Sequence, residues 1–130
     1  MKQTIAQQLL NRNYKRPSFF SCTCYWLLDN TPFFCYKYKP KFKKIDDISK
    51  TKGACFVIWN HQSRRDHLFV QKMVYPRRLT LVCEYNSFYT SHLHGCFSFM
   101  NVIPKKVFAN DMTSIRAMRN IIKDGGVVAF

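Results

Sequence analysis

Hydrophobic and polar positions divide the chain into stretches of different period. Residues 1–17 are polar, with Ile5, Leu9 and Leu10 as a weak apolar face, and predict a helical lead that Pro17 stops. Residues 18–36 crowd Phe19, Phe20, Tyr25, Trp26, Leu27, Leu28, Phe33 and Phe34 together, with Asp29, Asn30 and Pro32 breaking the run. That interruption disfavours a spanning helix and predicts a short hairpin of amphipathic pieces. Residues 37–52 alternate lysine with Tyr36, Tyr38 and Phe42, then turn polar around Asp46 and Asp47.

Beyond residue 52 the period changes repeatedly. Ala54–Trp59 is a short apolar run bounded by Gly53 and Asn60, which predicts a buried strand. Residues 64–75 place Leu68, Phe69, Met73 and Val74 at helical spacing, and Pro76 ends them. Leu79–Cys83 is a second strand. Residues 85–100 favour helix with a break near Gly95, and Val102–Ile103 makes a short strand before Pro104. Residues 112–124 put Met112, Ile115, Met118, Ile121 and Ile122 on one helical face, with Asp111 to cap the start and Gly125 the end. Val127–Phe130 begins another strand. This alternation predicts an α/β fold, a largely parallel sheet with flanking helices. The expected organisation is a membrane-associating region over 1–51 and a sheet domain over 52–130. A strand that begins four residues before the end of the chain is expected to belong to a longer, here truncated, domain.

Composition narrows the partners. Lysine and arginine number 21 against 7 acidic residues, a formal net charge of +14, so the partner is anionic: nucleic acid, a phosphorylated small molecule or an acidic lipid surface. Twelve phenylalanines, seven tyrosines and two tryptophans exclude a disordered polycation. No apolar run approaches the ~20 residues that span a bilayer. The six cysteines come without a visible secretory signal, which predicts reduced thiols facing the cytosol. His92, His94 and Cys96 with Cys83 form a poor zinc set, because the fourth ligand must close across a separate element; no metal is expected. The lysine–aromatic stretch 36–44 suits either a single-stranded nucleic acid or a membrane interface. The neighbouring aromatic run favours the membrane, and nucleic acid is not an expected partner.

The chemistry concentrates in Asn60-His61-Gln62-Ser63-Arg64-Arg65-Asp66. A strand delivers Asn60 and His61 at its C-terminal end, where ligands gather in open α/β sheets. A helix beginning near Ser63 places Asp66 in or just before its first turn, where a carboxylate is favoured. The chain reversal can return that carboxylate to the imidazole, holding one tautomer and raising the basicity of the other nitrogen, as a general base requires. A His and an Asp five residues apart also occur by chance, and basic residues on a solvated face need no ligand.

These residues resemble the first motif, N-H-x-x-x-x-D, of the PlsC-type glycerolipid acyltransferases, which include the 1-acylglycerol-3-phosphate acyltransferases. Val102-Ile103-Pro104 resembles the second motif, and the helix followed by Gly125–Phe130 resembles the approach to a third, F-P-E-G. The resemblance covers roughly residues 52–130. It departs at Asn101, where the family has glycine, at Lys105 and Lys106, where it commonly has arginine, and at the third motif, which is missing. Lysine lacks the bidentate fork of arginine, so the phosphate grip is altered.

What the resemblance implies is transfer of a fatty acyl group from acyl-CoA or acyl-carrier protein to a hydroxyl of a lysophospholipid or glycerol phosphate. His61 is then the general base and Asp66 orients it. Asn60, Ser63, Arg64, Arg65, Lys105 and Lys106 bind substrate. No cofactor beyond the donor and no covalent acyl-enzyme is expected. The implied location is the cytoplasmic side of a membrane with anionic lipid, and the 130 residues by themselves are expected to be weakly active or inactive. The alternative is a non-enzymatic basic module for RNA or acidic membranes.

Overall fold

A computed structural model describes residues 13–29, 48–60, 66–90 and 94–130. Four strands form one sheet: β1 (Cys55–Val57), β2 (Leu79–Glu84), β3 (Ile103–Lys105) and β4 (Val127–Ala129). Their spatial order is β1-β4-β2-β3 and every pairing is parallel. The α/β class and the parallel sheet expected from the sequence are both present. Five helices flank it: α1 (Phe19–Asp29), α2 (Asp66–Val74), α3 (Tyr85–Thr90), α4 (His94–Phe99) and α5 (Met112–Lys123).

Side chains alternate across a strand, so the sheet feeds two cores. One holds Val70, Val74, Leu79, Leu81, Phe88, Met100, Val127 and Ala129 with Cys22 of α1. The other holds Ile103, Ala117, Ile121 and Val128 with Tyr14. The connection β1–α2–β2 crosses the sheet one way and β3–α5–β4 crosses back. Crossovers of one hand running in opposite directions must lie on opposite faces, which puts α5 alone against the second core. Tyr14 and Cys22 carry residues of the 1–51 region into both cores.

Several expected elements are corrected. Residues 13–18 are not helical, and Pro17 precedes a helix instead of ending one. Residues 1–12 lie outside the described residues. The aromatic run opens with one helix, α1, where a hairpin was expected. Ser18 is its N-cap, its Oγ accepting the Ser21 N–H at 2.9 Å, so this single hydroxyl starts the helix. Residues 30–47, with Phe33, Phe34 and the lysine-rich stretch, lie outside the description.

β1 is an edge strand, not a buried one. Cys55 and Val57 face the first core while Phe56 and Ile58 stand open on the α5 side, Ile58 at 76% exposure. A break was expected near Gly95, but Gly95 lies inside α4; residues 91–93 lie outside the description. Pro104 sits within β3, tolerated because β3 is the other edge strand. In α5 the buried stripe is Ser114, Ala117 and Ile121, flanked by Met118 and Ile122; Met112 and Ile115 are exposed.

The ends of α5 are fixed as the sequence indicates. Asp111 caps the start, its Oδ1 accepting the Ser114 N–H at 3.2 Å. Gly125, at φ +73°, reverses the chain after the end, a conformation glycine adopts without penalty. Gly126 then passes so close to Ile121 that a Cβ there would stand 2.7 Å from its carbonyl oxygen.

Candidate functional site

Of the residues singled out in the sequence, Asn60, Asp66, Lys105 and Lys106 are described, and Asn60, Lys105 and Lys106 follow or end parallel strands at their C-terminal side. Asn60 follows β1 by three residues and is exposed. His61, Gln62, Ser63, Arg64 and Arg65 lie outside the described residues. Asp66 is the first residue of α2 and is half-buried, where free N–H groups at a helix start favour its negative charge. The helix was expected to begin near Ser63; as described it runs from Asp66.

Lys105 and Lys106 end β3 at this same end of the sheet, and both are exposed. β1 and β3 are the two outer strands, three spacings apart, so the lysines stand ~14 Å across the sheet edge from the strand that carries Asn60. The structure brings the two groups to one edge and not into contact. Lys106 has its Nζ 5.3 Å from the centre of the Tyr85 ring, a cation–π distance. Its N–H donates to Asp111 Oδ2 at 3.0 Å, and the one proton of the Ser114 hydroxyl is shared between Asp111 Oδ2 at 2.7 Å and the Pro104 carbonyl at 2.8 Å. Asp111 and Ser114 therefore fix the backbone from which both lysines project. Burial pushes the Asp111 carboxyl up, but the N–H groups of Lys106 and Ser114, the Ser114 hydroxyl and the Lys106 charge outweigh it and hold the group below its ordinary value.

The sequence reading did not place three neighbours at this site, Cys83 among them, which it weighed only as a zinc ligand. Glu84, at the end of β2, pairs in register with Lys105 and sets a carboxylate among the lysines. Cys83 beside it has its thiol pushed up to about 12, by burial and then by Glu84, so it is protonated at neutral pH and a poor nucleophile. Tyr25 of α1 shares a hydrogen bond of 2.8 Å with His67 Nε2, one residue past Asp66. That bond ties the aromatic helix to the first turn of α2. The partners are 42 residues apart, and no local period marks either, so their sequence carried no signal of it.

Arg77 fastens the approach to β1. Its guanidinium donates to the carbonyls of Gly53 and Ile48 and lies 3.4 Å from Cys55 Sγ. The five described cysteines are free thiols. Among the described residues no three His, Cys, Asp or Glu side chains converge on a metal position; His92 lies outside them.

Compared with protein-family models, curated proteins and solved structures, the chain matches none of them.

Proposed function

We propose that this chain carries the first-motif half of a membrane-associated glycerolipid acyltransferase of the PlsC type, acting on the cytoplasmic side. The observation that supports it most is the position of Asn60 and Asp66. They flank the strand-to-helix turn at the C-terminal end of a parallel strand, with Lys105 and Lys106 on the same edge. Ligands of open α/β sheets bind at that edge.

In the proposed reaction His61 takes the proton of the acceptor hydroxyl as its oxygen attacks the thioester carbonyl of acyl-CoA or acyl-carrier protein. The carbon–sulfur bond then breaks, and the imidazolium returns the proton to the departing thiolate. Asp66 orients the ring. Asn60 and Ser63 line the acceptor site, and Arg64, Arg65, Lys105 and Lys106 attract the phosphate of the acceptor.

The membrane part of the reading is supported by an aromatic surface on α1 and α4. Phe19, Phe20, Leu27 and Phe99 are exposed there, and the Phe20 and Phe99 rings meet edge to face at 6.4 Å. The proposed mode, from the aromatic run that Asp29, Asn30 and Pro32 interrupt, is peripheral or monotopic; among the described residues no helix is long and apolar enough to cross a membrane. Flotation with vesicles checks it: binding that needs anionic lipid and falls with salt is expected, and equal binding to neutral vesicles overturns the electrostatic part.

Activity is tested by acyl transfer from acyl-CoA to lysophosphatidate and to glycerol 3-phosphate, for the 130-residue chain and for a version extended through an F-P-E-G segment. The extended version is expected to turn over. His61→Ala should lower its rate by ~10²–10⁴-fold, the usual worth of a general base. Asp66→Asn should keep the fold and lose most of the rate. A His61→Ala protein with near-normal turnover sinks the assignment.

A further inference from the structure

A second concentration of charge lies at the other end of the sheet. Arg78 immediately precedes β2, and Lys123 and Asp124 end α5 just before β4. The non-helical stretch carrying Lys15 and Arg16 runs between them. Together they line an open cleft of about 490 Å³, with the Asn120 amide on its wall. Four cations share it with one carboxylate.

Part of this charge has an evident structural use. Arg16 donates from Nη1 to the Asp124 carbonyl at 2.7 Å, satisfying an orphan acceptor at the α5 C-terminus, where cations are favoured. That use accounts for one donor. Arg16 Nε is enclosed and finds no acceptor among the described residues. Among the described residues Arg78 makes only a long bond, 3.4 Å, to the Pro17 carbonyl. Lys15 and Lys123 make no hydrogen bond or ion pair within the described residues. Burial, and then the nearby charges of Arg78 and Arg77, press the Arg16 guanidinium toward losing its proton, and only Asp124 opposes them. Like charges held this close without an equal countercharge destabilise one another, and an anion seated between them removes that repulsion.

We propose that the cleft formed by Lys15, Arg16, Arg78 and Lys123 binds a multiply charged phosphate group, at the end of the sheet opposite Asn60 and Asp66. Two arginines supply planar forks suited to phosphate oxygens, and two lysines supply mobile point charges at the mouth. The cleft is lined by polar and charged groups. It therefore selects a phosphate and leaves open what the phosphate is attached to. The site is independent of the acyl-transfer reading, since it shares no residue with it.

The test is calorimetric titration of the 130-residue chain with sodium pyrophosphate at low and moderate salt, alongside co-sedimentation with vesicles containing phosphatidic acid. Saturable binding that weakens with salt is expected. Lys15→Glu/Lys123→Glu, which alters only exposed side chains at the mouth, should weaken it by roughly tenfold or more. Lys52→Glu/Arg116→Glu makes the same change of net charge at exposed positions outside the cleft and should leave the cleft's affinity unchanged. Arg78→Gln repeats the test from the floor of the cleft, with unchanged unfolding midpoints required of every variant compared. Cleft-dependent binding of pyrophosphate identifies a soluble phosphate; cleft-dependent binding of the vesicles alone identifies a lipid headgroup. Equal loss in both charge-reversal pairs, or no saturable binding of either probe, overturns the proposal.

Discussion

Among the described residues one face of the sheet is closed by a single helix, α5, and the other by four shorter ones, α1 to α4. On the α5 face nearly every determinant lies between residues 103 and 129: the Asp111 cap, the Ser114–Ala117–Ile121 stripe and the Gly125–Gly126 reversal. Tyr14 and Val82 are exceptions. On the opposite face Cys22, Val70, Phe88, Met100 and Val127 meet from across the chain. The first face is built by local geometry and the second by long-range packing. They should therefore fail for different reasons, tight contact on one side and lost volume on the other.

The largest effect is expected where volume is concentrated. Phe88 is fully buried, and its ring meets those of Phe97 and His94 at 5.6 and 5.2 Å. Phe88→Ala should cost about 3–5 kcal/mol by denaturant unfolding, through lost transfer energy and the cavity left behind. A cost below ~1 kcal/mol would mean that this face collapses around the gap and is not packed as described.

The α5 face should instead resist the addition of one methyl. At Gly126 a Cβ would meet Ile121 Cγ2 at 2.5 Å and the Ile121 carbonyl oxygen at 2.7 Å. That same oxygen accepts the Gly126 N–H at 2.8 Å, so moving away breaks a bond. Gly126→Ala is expected to cost about 1–3 kcal/mol, the range for overpacking. An unchanged midpoint would show that the helix and β4 separate easily and that this face is the looser one.

The contrast also explains which parts of the fold were legible in the sequence. Asp111 before a periodic segment and Gly125 after it are local signals, and α5 was found within a residue at each end. The strand–helix alternation gave the parallel sheet for the same reason. What lay beyond reach was any property that depends on a neighbour distant in the chain. Ala54–Trp59 reads as buried, yet strand order leaves β1 at an edge with Ile58 open. Met112 and Ile115 have the right period, but only part of the α5 circumference faces the sheet. Residues 18–36 read as a hairpin of amphipathic pieces because Asp29, Asn30 and Pro32 interrupt the run, whereas the partners that hold α1, Tyr75 stacked on Trp26 at 4.9 Å and His67 on Tyr25, lie far along the chain. The candidate site divides similarly. The motif could be located at the end of β1, whereas Glu84 beside Lys105 emerges only from strand register.

A pH dependence separates the faces further. The Asp111 carboxyl is held below its ordinary value, so it contributes stability that is fully present above ~4, the usual carboxylate pKa. That contribution is lost as pH falls through the lower folded-state value. Asp111→Ala removes a cap and should cost ~1 kcal/mol at neutral pH. Its difference from the parent should shrink on acidification below ~4, as the parent's own carboxylate protonates. A difference that persists undiminished at low pH would assign the effect to packing, not to the charge.

The smallest expected effect probes how the long-range face is held beside the motif. Tyr25 and His67 are both half-buried, and water can replace a lost partner there, so the net worth of their bond is modest. Tyr25→Phe keeps the ring on α1 and deletes only the hydroxyl. It should cost about 0.5–1.5 kcal/mol, the usual net value of one hydrogen bond. His67→Ala loses the same bond together with the ring contact at 6.0 Å, and so should cost somewhat more. The decisive quantity is their coupling. If the bond joins α1 to the first turn of α2, the double variant costs less than the two single changes added together, by about the value of Tyr25→Phe. Strict additivity would mean that the bond does not hold α1, leaving the burial of Cys22 and the stacking of Trp26 on Tyr75 to do so. The opening of α2, and with it Asp66, would then be set by the strand-to-helix turn instead of by the aromatic helix.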